Sequence, residues 1–115
     1  LLMTSRLPAL LLVVAILLPF SLTSAASVKM MGAGNVTCKE WRQLRTSTEY
    51  FSAGNWLLGF LSSTSWNTGE DILASKKADV LFKAVDEFCA DMPDKTIADA
   101  AVELSLHMLD KASRE

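Results

Sequence analysis

Histidine occurs once in this 115-residue chain, at His107, and the two cysteines, Cys38 and Cys89, are far apart rather than in a Cys-x-x-Cys pair. A lone histidine with only Glu103 four positions away does not make a zinc site, which needs three or four ligands. It has no nucleophile to activate either. Ser105 is two positions away and falls on another face of any helix carrying His107. Without a Cys-x-x-Cys spacing, the thiols lack the arrangement of a redox couple. No nucleophile, base and orienting group can be assembled from the rest, so the reading is non-enzymatic, with no cofactor. Basic residues are not in excess, with 11 Lys and Arg against 13 Asp and Glu, so there is no electrostatic footprint for nucleic acid or anionic lipid. No segment alternates at period two, which leaves no strands to expect.

What the chain does have begins at its N-terminal end. Arg6 precedes the apolar run Leu7 to Phe20, and Ser21 to Ala26 are small residues. Basic end, apolar middle and small-residue exit are the pattern of a secretory signal peptide, with cleavage after Ala25 or Ala26. The run of about 14 residues falls short of the ~20 that a spanning helix needs. No stable membrane anchor is therefore expected after cleavage, while an uncleaved anchor would leave the remainder unchanged. Residues 1–25 are assigned to the signal peptide. Only Arg6 leaves with it, so 10 Lys and Arg face 13 Asp and Glu and the net charge is about −3.

Export leads to an oxidising compartment, where two thiols are free to join. Cys38 and Cys89 are accordingly read as one disulfide. Closing a loop of about 50 residues adds roughly 4 kcal/mol on the chain-entropy estimate, a large share of the ~5–15 kcal/mol of a small domain.

Residues 26–36, with two glycines and no periodicity, read as a flexible lead-in. Thr37 with Glu40 fits a capping box opening a helix at 38–45, its inner side Cys38, Trp41 and Leu44. Thr46 with Glu49 fits a second box. The helix it would open carries Tyr50, Ala53, Leu57, Phe60 and Leu61 on one face and Trp56 on the flank. Gly54 and Gly59 inside it imply close approach by a neighbouring helix. Ser62 to Gly69 reads as a loop of turn formers, and Glu70 to Ala74 as one helical turn. Ser75 is the expected cap of a third helix over 76–91, with Leu81, Ala84, Val85, Phe88 and Cys89 as its stripe and Pro93 as its stop. Thr96 with Asp99 caps a fourth, whose face is Ile97, Ala100, Ala101, Leu104, Met108 and Leu109. The expected fold is a small all-α four-helix bundle, stapled by one disulfide, over residues 37–112.

These residues carry a resemblance. Thr37-Cys38-x-x-Trp41, Trp56 to Leu61, Phe88-Cys89 with Pro93, and Ala98 to Ala101 resemble the small periplasmic immunity proteins of Rap/Tai type. That family neutralises cell-wall amidases injected by type VI secretion systems. The chain is also similar to the acid-stress chaperone HdeA, which shares the Thr-Cys start and the second cysteine before a proline-containing turn. The resemblance spans residues 36–112. It implies an all-helical domain with a Cys38–Cys89 bridge and with Trp41, Trp56 and Gly59 in the core; Phe88 joins them from the helical stripe. It also implies a periplasmic protein with a protein partner, a secreted amidase. As a chaperone, the chain at pH near 2 would approach a charge of +11 with His107 and loosen.

Trp66, flanked by Ser65, Asn67 and Thr68, is the candidate partner contact, because tryptophan among adaptable polar residues is common in binding hot spots. The other reading makes it a lid over the bundle end. The carboxylates Asp86, Glu87, Asp91 and Asp94 read as a solvated acidic edge able to steer a basic partner. Asn35-Val36-Thr37 matches a glycosylation acceptor only for a eukaryotic secretory route. The helix faces leave room for a homodimer.

Overall fold

In a computed structural model of the chain, residues 28–115 are described, and the expected signal peptide at 1–25 lies outside them. The described residues form four α-helices and no strand: α1 (Cys38–Leu44), α2 (Phe51–Thr68), α3 (Ala78–Asp91) and α4 (Ile97–Ala112). Helix α1 packs on α3, α2 packs on α4, and α3 packs on α4. The Cys38–Cys89 disulfide is formed, with 4.9 Å between the Cα atoms and both residues fully buried. The expected all-α fold with one staple is the fold observed.

Local chemistry accounts for the helix ends. The hydroxyl of Thr37 accepts from the Glu40 N–H at 3.1 Å and starts α1. At α4 both halves of the box form: Thr96 Oγ1 accepts from the Asp99 N–H, and Asp99 Oδ2 accepts from the Thr96 N–H at 2.9 Å. The two caps are themselves joined by an isolated antiparallel bridge between Thr37 and Thr96. In it the Cys38 N–H donates to the Lys95 carbonyl and the Ile97 N–H to the Val36 carbonyl.

Three expectations about the connections need correction. Residues 62–68 are not a loop, because α2 continues through them to Thr68. The hydroxyls of Ser62, Thr64 and Thr68 donate back to the carbonyls of Leu58, Phe60 and Thr64, so these turn-forming residues bond to the helix. The helix ends only at Gly69, whose φ of 75° supplies the left-handed stop. The second box is not formed either. Thr46 and Ser47 donate to the Gln43 and Leu44 carbonyls, closing the turn after α1, and α2 begins after Tyr50 with no side-chain cap. Ser75 is not a cap but sits in the turn at φ 60°, and Lys77 precedes α3.

The lead-in also carries structure. Gly32–Asn35 form a 3-10 turn that packs on α2 and α4. Trp56 Nε1 donates to the Met31 carbonyl at 2.8 Å, and Asn35 Nδ2 donates to that of Met30. Gly34 is buried because the Trp56 ring occupies the space of a Cβ.

The core gathers Trp41, Leu57, Leu61, Val85 and Ile97, fully buried around the disulfide. Trp56 and Phe88 are half-buried and pack against it. Phe82, outside the expected stripe, is buried, and its ring meets Trp41 and Tyr50 edge-on at 6.1 and 5.6 Å. Gly54 lies under that ring, where a Cβ would come within 2.9 Å. Gly59 is not in the core: it is exposed, and nothing lies within 4 Å of where its Cβ would be.

The two glycines give opposite expected outcomes in urea denaturation. Gly59→Ala should stabilise the protein by up to about 1 kcal/mol, the helix-propensity difference. Gly34→Ala should destabilise it by about 1–3 kcal/mol, because the ring must move. Two substitutions with the same sign would contradict the packing described.

Candidate functional site

Two places outside the plain apolar core concentrate chemistry. The first is the seam between α1 and α3. Trp41 is fully buried, and its indole N–H needs an acceptor there. Asp86 provides it: Trp41 Nε1 donates to Asp86 Oδ1 at 2.7 Å. Arg45 donates to the same carboxylate from Nε at 3.0 Å and from Nη2 to Oδ2 at 2.9 Å. Its guanidinium lies 4.5 Å from the Tyr50 ring centroid and 5.6 Å from that of Trp41. The hydrogen bond to Asp86 is the largest influence and raises the Arg45 pKa above its ordinary value; burial opposes it, and the Asp86 charge adds to the rise.

Asp86 is thus not part of a freely solvated acidic edge. The signal that could have found it is the disulfide register. Cys38 and Cys89 join antiparallel helices, so three residues on from Cys38 and three back from Cys89 bring Trp41 opposite Asp86.

The second place is the C-terminal turn of α2. Trp66 is 87% exposed, the most exposed of the large apolar side chains described. It does not fold back as a lid. Of its expected companions, Asn67 donates to Ser63 Oγ at 3.0 Å, and Thr68 Oγ1 both donates to the Thr64 carbonyl and accepts from the Glu70 N–H. These two are occupied within the helix end rather than held ready for a partner. Ser65 is half-buried, and its Oγ is buried with no hydrogen-bond partner among the described residues. Such an atom costs about 1–3 kcal/mol until a partner satisfies it. Trp66, Ser65, Gly69, Glu70 and Asp71 border an open hollow of about 540 Å³. The indole points outward, two positions along the helix from Thr64, which faces α4. There the Thr64 and Ser105 hydroxyls lie 3.3 Å apart and share a hydrogen bond.

His107 is exposed and borders a different hollow of about 340 Å³ between α3 and α4, with Val80, Ala84, Leu104 and Met108. No cluster of three or more His, Cys, Asp or Glu that could hold a metal exists among the described residues. Within the same residues, no helix is long and apolar enough to cross a membrane.

Compared with known proteins, the chain matches no family model, no curated protein and no solved structure. What the geometry itself offers is a disulfide-bonded helical bundle with Trp66 standing exposed on the last turn of α2.

Replacing Asp86 tests the seam. Asp86→Ala leaves the buried Trp41 N–H unpaired, which should cost about 1–3 kcal/mol in chemical denaturation. Asp86→Asn, which keeps an acceptor oxygen, should lose less. Equal, negligible losses would show that the seam does not hold α1.

Proposed function

We propose that this chain is a periplasmic, non-enzymatic binding protein that blocks a secreted cell-wall amidase by occluding its active site. The observation that carries the reading is the exposed Trp66. Tryptophan is enriched at protein–protein interfaces and among their hot spots. Its position on a helix rather than a loop adds to the case. A side chain held by a formed helix loses little further backbone freedom when it docks. The choice of an amidase rests on the resemblance of Thr37, Cys38, Trp41, Trp56 to Leu61 and Phe88 to Pro93 to Rap/Tai-type immunity proteins. The choice of compartment rests on the signal pattern at 1–25 and on a disulfide, which oxidising compartments sustain.

A specific observation also favours a second reading, an acid-stress chaperone of HdeA type. One carboxylate, Asp86, accepts from both Trp41 and Arg45 and ties α1 to α3. The hydrogen bond to Asp86 raises the Arg45 pKa above its ordinary value, so the guanidinium keeps its charge throughout the acid range in which such a chaperone acts. Several apolar side chains, Val80, Met92 and Leu106 among them, already face solvent and could hold an unfolding client.

Trp66→Ala separates the readings. Its melting temperature should stay close to the parent's, because exposed positions change stability by only about ±0.5 kcal/mol. Amidase inhibition should fall at least ~30-fold, the loss of one hot spot of about 2 kcal/mol. Undiminished inhibition would remove the docking role of Trp66. For the second reading, client aggregation is followed by light scattering at pH 2–3 and at pH 7. Protection at the acid pH alone, with no amidase inhibition by the parent protein, would move the assignment to the chaperone.

A further inference from the structure

We propose that the hollow beside Trp66 is a receptor for a basic side chain, a partner's arginine or lysine. That side chain stacks on the indole and pairs with Glu70 and Asp71. The inference rests on the reading of Trp66 as the docking point and adds the chemistry of what docks there.

Three separate features make this end of α2 attractive to a cation. The Trp66 ring is 87% exposed, so the negative face of its π system is open, and tryptophan is the best aromatic partner for a cation. Glu70 and Asp71 border the same hollow, both are exposed, and neither forms an ion pair with another described residue. The C-terminus of α2 ends here, and its last turn carries no basic residue. The negative end of the helix dipole is therefore left without the lysine or arginine that often compensates it. None of the residues bordering the hollow is positively charged. The buried, unpartnered Oγ of Ser65 is one more polar atom on this side that lacks a partner. An arginine fits the combination best, because its planar guanidinium stacks on an aromatic face while its N–H groups reach a carboxylate. Anionic lipid is disfavoured by the same charges, and two carboxylates beside an indole are too few ligands for a tightly held metal.

The test is an NMR titration of the oxidised protein with tetraarginine, tetralysine and tetraglutamate, followed at the three indole N–H signals. Tetraarginine should shift the Trp66 signal saturably, tetralysine more weakly, and tetraglutamate not at all, while the Trp41 and Trp56 signals stay in place. Glu70→Gln combined with Asp71→Asn should weaken tetraarginine binding by about fivefold, in the range of exposed ion pairs. Trp66→Leu, which keeps an apolar side chain, should weaken it by about threefold. As a control for general attraction to an acidic protein, Asp91→Asn with Asp94→Asn should leave the affinity within about twofold.

An unmoved Trp66 signal overturns the proposal, and so does a shift that tetraglutamate reproduces or a loss at the Asp91 and Asp94 control as large as at Glu70 and Asp71. If tetraarginine is inert while Trp66→Ala still abolishes amidase inhibition, the basic chemistry fails and the docking role of Trp66 survives. If tetraarginine binds as expected while Trp66→Ala inhibits normally, the receptor stands and the docking role of Trp66 on the amidase fails.

Discussion

A seven-residue helix does not persist in water, since its nucleation cost exceeds what one or two turns return. Helix α1 exists here because it is fastened to α3 at adjacent points. The buried Cys38–Cys89 bridge is one, and the Asp86 carboxylate that accepts from Trp41 and Arg45 is the other. The first restricts the unfolded chain, worth roughly 4 kcal/mol for a loop of about 50 residues. The second allows the largest buried side chain, Trp41, to sit in the core without an unpaired N–H. Much else follows from Trp41 being there. Its ring receives the edges of Tyr50 and Phe82. Those rings fix where α2 can begin and how closely α3 approaches it over Gly54.

Much of this was legible from the residues. The caps at Thr37 and Thr96, the stop before Pro93 and the inner faces of α3 and α4 are local signals, and each concerns residues three or four apart. The misreadings share one cause: a local signal whose partner lay elsewhere. Ser62 to Thr68 have the composition of a loop, but Leu61 just before them is buried in the core and Thr64 bonds with Ser105 of α4, and tertiary packing overrides weak propensity. Thr46 to Glu49 have the spacing of a capping box, but their hydroxyls are taken by the carbonyls ending α1. Gly59 suggests a close neighbour and has none, whereas Gly34, in a segment without periodicity, has the Trp56 ring against it. Asp86 needed the disulfide register before Trp41 could be placed opposite it.

The three tryptophans divide the labour of the molecule. Trp41 fills the core and is satisfied by Asp86. Trp56 is half-buried, stacks on Phe60, covers Gly34 and ties down the chain at Met31. Trp66 does none of this. Burying so large a side chain is worth roughly 3 kcal/mol, and the fold forgoes it here while packing its other two tryptophans against the core. In a small domain with a thin margin, that contrast makes Trp66 the residue whose placement stability does not explain.

The pairing of helices also decides how far stability and recognition can vary independently. The covalent staple and the Asp86 bonds act between α1 and α3, while the C-terminal turns of α2 rest on α4 through Leu61, Thr64 and Ser105. Trp66 and Glu70 are exposed and take no part in either contact, and Asp71 is exposed beside them. A change at this outward end therefore removes neither a core side chain nor a buried hydrogen bond, the two mechanisms behind most large losses of stability. The same separation lets the surface around Trp66 carry charge and an exposed ring at little cost to the bundle. The long α2 helix is what makes this arrangement work: its inner face holds the domain together, and its last outward turn carries the exposed Trp66.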